Sequence, residues 1–198
     1  MWMCRSDLKR SLAAILAVAS AVAAGGARAG TAGVIPYACP GGIPHVLLAF
    51  DPAAGRVGYG AFDGGGRPGE SVAETAAREM LEETRCAFGT PTAAELAGKT
   101  PSDFGSVSSY VAEVPFLSGR DIAEHPCEAA LERVDWLWVR LSDLKTALRS
   151  GGPRPEVTVA SGTRRIALWR GAAGSLRQAV SDDLLPDGLC RAGGQEGS

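Results

Sequence analysis

The sequence predicts an α/β domain with a mixed β-sheet, and three observations carry that expectation. Residues 45–50, HVLLAF, are apolar on both faces, as a central strand requires. Residues 71–84 hold strong helix formers with no internal Gly or Pro. Residues 134–141, VDWLWVRL, are rich in aromatic and branched side chains that suit a strand. The order of strands, a helix, more strands and more helix fits layers of helix and sheet around one core.

Taken in order, residues 33–39 and 45–50 read as the first two strands, with a Pro- and Gly-containing turn over 51–58. Residues 59–63 read as a third strand, ending in the run Gly64-Gly65-Gly66. The helix over 71–84 follows. At 100° per residue, Ala73, Ala76, Ala77, Met80 and Thr84 share one side, and Glu79, Glu82 and Glu83 share the opposite side. One face is therefore expected in the core, with three carboxylates offered on the other. Residues 106–116 alternate as a strand, with Tyr110, Ala112 and Val114 pointing one way. Residues 126–132 read as a loop before the 134–141 strand, which puts Trp136 and Trp138 on one sheet face. Ser142 suits an N-cap and Asp143 the first turn of a short helix to Arg149, ended by Gly151-Gly152-Pro153. A short strand is expected at 157–159, and mostly helix over 164–185.

Residues 1–29 read as an export signal. Arg5, Lys9 and Arg10 precede an apolar run over 12–24, and Ala27 and Ala29 supply the small-residue cleavage pattern. The run of 13 residues is short for a membrane span, which needs about 20; a retained anchor is the alternative. Cleavage after Ala29 leaves a domain over 30–191 and a polar tail over 192–198 that is expected to be disordered. The chain's net charge is −2. The leader carries four basic residues and one acidic residue, so the exported chain is more acidic still, at −5. An acidic protein with two histidines and no basic run is a poor binder of nucleic acid, and no later stretch is long enough to span a bilayer. Cys39, Cys86, Cys127 and Cys190 remain after cleavage, an even number that permits two disulfides in an oxidising compartment. Three pairings are open, with unpaired buried thiols as the alternative. A bridge at Cys190 would pin the C-terminus to the core.

Three carboxylates on one helical face repel at three- and four-residue spacing. On that helix only Arg78, four residues before Glu82, is placed to offset them. A hard divalent cation neutralises such a cluster well, because magnesium takes oxygen ligands and keeps several waters. Glycines 64–66 let backbone approach metal or phosphate closely. A solvated acidic helix face is the plainer reading of the glutamates alone.

The wider spacing favours the metal. Gly64 is followed after five residues by Glu70, then after seven by Arg78-Glu79, then by Met80, one residue, and Glu82-Glu83. The stretch 64–86, GGGRPGESVAETAAREMLEETRC, resembles the Nudix box, G-x5-E-x7-R-E-U-x-E-E-x-G-U with U bulky and apolar, and keeps six of its seven fixed positions. Arg85 stands where the family has Gly, and Cys86 is a marginal U. That Gly ends the helix in a left-handed conformation, so Arg85 is expected to cost about 1 kcal/mol there.

The resemblance implies a Nudix-type α/β/α sandwich and hydrolysis of a diphosphate linkage with Mg2+, or Mn2+, as cofactor. It implies Glu79, Glu82 and Glu83 as metal-binding and catalytic glutamates, with a backbone carbonyl near Gly64 as a further ligand. Arg78 would orient the glutamates, and Glu70 would hold the loop to the helix. Many members add an acid from outside the box as general base or ligand; Glu128 and Glu132 are the candidates, ahead of Glu124. His125 reads as a surface residue. The expected partner is a small-molecule diphosphate, a nucleoside diphosphate derivative or a related compound. Tyr59, Tyr110, Trp136 and Trp138 are candidates to stack on a base. Relatives are often dimers, which makes a homodimer an option. The competing reading is a non-catalytic, nucleotide-binding Nudix-fold module of the cell envelope.

Overall fold

A computed structural model describes residues 30–89, 91–127 and 132–190. The segment 1–29 read as an export signal, the 192–198 tail and Glu128 lie outside the described residues. The central strand is β1 (Thr31–Ala38). It runs parallel to β6 (Val107–Glu113), whose far edge pairs antiparallel with the short β5 (Ser102–Phe104). On its other edge β1 pairs with β2 (His45–Asp51) only at Tyr37–Val46 and Ala38–His45. Beyond that point the strands part. β4 (Phe62–Gly65) takes the edge of β1, and β3 (Gly58–Gly60) takes the edge of β2. β7 (Val134–Arg140) closes the far side of β2, with Phe50 opposite Val134. One parallel pairing among antiparallel ones makes the sheet mixed, as expected.

Side-chain alternation divides the core between two faces. Val34, Leu47, Ala49, Ala112, Trp136 and Trp138 point to one face and meet α1 (Val72–Glu83), α2 (Ala93–Ala97) and α3 (Gly119–Ala123) through Ala76, Met80, Leu96 and Ile122. Ile35, Val46, Leu48 and Val139 point to the other. There they meet α4 (Leu141–Arg149) and α5 (Arg170–Ser181) through Leu144, Leu148, Leu176 and Ala179. The result is an α/β/α sandwich, with a two-stranded ribbon, β8 (Glu156–Thr158) and β9 (Arg165–Ala167), on the second face.

Several local expectations need correction. The single strand expected over 59–63 is two, β3 and β4, on different neighbours, and it does not end at the glycine run, because Gly64 and Gly65 belong to β4. Ser142 is not an N-cap; α4 begins two residues earlier than expected, with Arg140 at its cap and no side-chain capping bond. The segment read as mostly helix over 164–185 opens with β9 before α5. β5, α2 and α3 were not foreseen, being only three to five residues long. The four cysteines are paired, Cys39 with Cys190 and Cys86 with Cys127. The first bridge ties the end of β1 to the last described residue, as a C-terminal pin would.

Candidate active site

The acidic helix begins cleanly. Ser71 and Glu74 form a capping box, with the Ser71 hydroxyl accepting from the Glu74 amide and the Glu74 carboxylate accepting from the Ser71 amide. Its apolar face is buried as predicted, through Ala73, Ala76 and Met80. The opposite face departs from the expectation. Glu79 is 6% exposed and Glu83 3%, so two of the three glutamates are enclosed rather than offered to solvent. Only Glu82 is partly open. The sheet supplies the enclosure. β4 brings Gly64 against the helix so closely that a Cβ there would lie 2.3 Å from Glu79 Cδ and 2.4 Å from both its oxygens. Only glycine leaves room for that carboxylate.

Arginines neutralise the cluster, and not all of them come from the helix. Arg78 Nη1 donates to Glu79 Oε1 at 2.7 Å and to Glu82 Oε2 at 2.9 Å. Its Nε and Nη2 grip Glu70 at 2.7 and 3.0 Å, and Nη2 also reaches the Gly65 carbonyl at 2.9 Å. Glu70 accepts the Arg67 amide and the Thr75 hydroxyl as well, so it ties the loop to the helix. These bonds, from Arg78 first, hold its carboxyl down at about 2. Arg67 Nη2 donates to Glu82 Oε1 at 2.9 Å.

Glu83 turns to a different partner. Arg133, 4% exposed, donates from Nε to Glu83 Oε1 at 2.7 Å and forms an ion pair through Nη1 with Asp51 Oδ2 at 3.0 Å. Glu83 Oε2 is buried with no hydrogen-bond partner among the described residues. Burial pushes the Glu83 carboxyl up to about 8 against the pull of Arg133. Burial likewise raises Glu79 and Asp63. The charge of Glu132 adds to the upward push on Glu79, which places this exposed residue within electrostatic reach of the cluster. Glu124 is not there: it lies at the end of α3, paired with Arg120. The arginines engage the carboxylates separately, and no three ligating side chains surround one point among the described residues.

The helix C-terminus shows how Arg85 is accommodated. Arg85 and Cys86 both sit at positive φ, 54° and 56°. Arg85 Nη2 donates to the His125 carbonyl at 3.1 Å, and the Cys86–Cys127 bridge fastens the same two segments. His125 is half-buried, with its Nδ1 enclosed, rather than a plain surface residue. Trp136 Nε1 donates to the Glu83 carbonyl at 3.0 Å, fixing the helix end to β7.

Of the aromatic candidates, Trp138 is stacked by Phe116 and donates to the Leu117 carbonyl, and Tyr110 is in the core. Tyr59 donates to Asp135 at 2.6 Å, and that carboxylate also accepts from the partly exposed Arg164. Sequence reasoning missed Asp51, Asp63, Arg133 and Asp135. For Asp51 and Arg133 the sequence signal was a charged residue beside the apolar strands 45–50 and 134–140, which becomes informative only once those strands are known to pair; no comparable signal marks Asp63, inside β4, or Asp135, inside β7.

No protein-family model matches the sequence, and no curated protein matches it. Among solved structures its neighbours are Nudix hydrolases at low identity. A MutT/nudix family protein from Enterococcus faecalis is 14% identical over 85% of this chain and 68% of that one, with a TM-score of 0.48. An Ap4A hydrolase from C. elegans is 19% identical over 59% of this chain and 83% of that one, at 0.42. A bifunctional NMN adenylyltransferase/ADP ribose pyrophosphatase from Francisella tularensis, solved with AMP and a manganese ion, is 21% identical over 59% of this chain and 35% of that one, at 0.38.

Proposed function

We propose that the chain is a Nudix-type pyrophosphohydrolase that uses a divalent cation to cleave a diphosphate linkage in a nucleoside diphosphate derivative or related compound. The observation that carries this reading is the enclosed pair on one helix face. The Glu79 carboxylate lies against the bare backbone of Gly64, and Glu83 Oε2 is buried without a partner. A buried carboxylate oxygen left unsatisfied is costly, and a cation satisfies it. The donors are all oxygens, the set that Mg2+ or Mn2+ prefers. Glu79, Glu82 and Glu83 would hold the ion, with a backbone carbonyl near Gly64. When bound, such an ion polarises a phosphoryl oxygen and makes a bound water acidic enough to act as nucleophile.

The chain's own groups do the rest. Arg78 orients Glu79 and Glu82 while gripping Glu70, so the loop and the helix keep one geometry. Glu132, exposed and acting electrostatically on Glu79, would take the proton of the attacking water in this reading; Glu128 stays a candidate for the same role. Attack on phosphorus forms one P–O bond and breaks the bridging one, giving two phosphate-bearing products. Two disulfides among the described residues support an oxidising compartment, and with the signal over 1–29 they support export to a periplasmic or extracellular space.

One observation favours the rival, a nucleotide-binding module without turnover. Arg78 already engages Glu79 and Glu82, and no three ligands surround one point among the described residues. A panel of nucleoside diphosphate derivatives assayed with Mg2+ separates the two. We expect release of phosphate products that is lost in Glu82→Gln with the fold retained. Binding without turnover, or an unaffected rate in that variant, contradicts the proposal.

A further inference from the structure

Arg133 is the buried cation that the Nudix-like stretch does not contain. Its place is set by the sheet. Phe50 pairs with Val134 across β2 and β7, so the next residues outward, Asp51 and Arg133, meet at the ends of neighbouring strands. Asp51 is itself fixed, accepting the Ala53 amide at 2.8 Å and pairing with Arg56 at 3.2 Å. A guanidinium presents its donors in a rigid plane, so once Nη1 is held by Asp51 the direction of Nε is fixed as well. That Nε reaches one oxygen of Glu83 and leaves the other open. A plain structural ion pair has no reason to leave a buried carboxylate oxygen unpartnered, since the guanidinium fork can engage both.

We propose that Arg133, anchored by Asp51, is a positioning residue that fixes Glu83 with Oε2 free to bind the divalent cation. The proposal rests on the reading of the site as a metal-dependent hydrolase. It has a consequence opposite to simple electrostatics. Removing a positive charge beside a cation site strengthens cation binding if charge alone matters. If orientation dominates, removal weakens it, because Glu83 loses its aim.

The test is Mn2+ binding to the disulfide-bonded chain lacking residues 1–29, followed by the electron paramagnetic resonance of free Mn2+. Each variant is measured where its circular dichroism matches that of the unsubstituted chain. Arg133→Met is expected to weaken binding about 10–100-fold, the usual cost of losing a ligand's outer partner. Arg133→Lys keeps the charge without the fork and is expected to weaken it at least tenfold; it also serves if Arg133→Met fails to fold. In a Glu83→Gln background the further change Arg133→Met is expected to shift affinity less than twofold, because Arg133 acts through Glu83. Unchanged or tighter binding in Arg133→Lys, or the same loss with and without Glu83, overturns the proposal. Absence of Mn2+ binding in the unsubstituted chain overturns the functional reading itself, so the two failures are distinct.

Discussion

Replacing Gly64 by Ala places a single methyl group where the structure has no room for one. The added Cβ would lie 2.3 Å from Glu79 Cδ and 2.4 Å from each Glu79 oxygen, well inside van der Waals contact. The helix does not yield easily, because Ala73, Ala76 and Met80 on its other side are buried in the core. The Glu79 carboxylate must therefore move and lose the 2.7 Å bond from Arg78. Overpacking of this kind costs about 1–3 kcal/mol. The backbone offsets part of it: Gly64 is not at positive φ, so alanine there restricts the unfolded chain and returns about 0.4–1 kcal/mol. The net is a loss of about 1–2 kcal/mol, or roughly 2–8 °C in Tm for a domain of this size. Gly65→Ala is the matched control, since nothing lies within 4 Å of a Cβ at that neighbour. Thermal unfolding and hydrolysis of the preferred diphosphate are measured on both. Gly64→Ala is expected to melt lower and to lose at least 100-fold in activity, while Gly65→Ala stays near the unsubstituted protein. Equal behaviour of the two variants would refute the claim that Gly64 exists to admit Glu79.

Further outcomes follow from the same geometry. In chelator, Glu83 with its carboxyl raised to about 8 binds a proton more tightly folded than unfolded, so its contribution is present at low pH and is lost as pH rises from about 4.5 to 8. Glu70, held at about 2, acts in the opposite sense, and its contribution is lost as pH falls from about 4.5 to 2. Tm measured against pH is expected to decline from about 5 to 8, and Glu83→Gln is expected to flatten that decline; an unchanged slope contradicts the assignment. The Cys39–Cys190 bridge spans 151 residues and Cys86–Cys127 spans 41, for which loop-closure entropy gives about 5 and 4 kcal/mol. Double Ser replacement should therefore lower stability more at the first bridge in denaturant titration, and the reverse order refutes the entropy argument. Arg85→Gly relieves a positive φ worth about 1 kcal/mol and an unpartnered buried Nε, against one lost bond to the His125 carbonyl of about 1 kcal/mol. It is expected to raise stability by about 1 kcal/mol, and a lowered Tm contradicts this.

The sequence carried the long elements and the apolar face of α1, because period and alternation are local properties. The Nudix-like stretch also singled out Glu70 and Arg78, which the fold brings within 2.7 Å of each other. The sequence misjudged the acidic face, because the approach of Gly64 to Glu79 depends on β4 pairing with β1, and the partner of Glu83, Arg133, comes from 50 residues further along the chain. Arg133 was invisible for the same reason: its meaning depends on β2 and β7 being neighbours, which no local pattern encodes. Arg85 was read correctly as a strained helix end, but the device that tolerates it, a bond to residue 125 and a disulfide to residue 127, is again long-range.

The most direct measurement is the anomalous diffraction of Mn2+ in crystals of the disulfide-bonded domain. A peak is expected among the Glu79, Glu82 and Glu83 carboxylates beside Gly64, with Glu83 Oε2 at about 2.2 Å, the spacing of a bound hard cation. A well-diffracting crystal grown in millimolar Mn2+ with no peak there, and with Arg78 and Arg133 still closing all three glutamates, would contradict it.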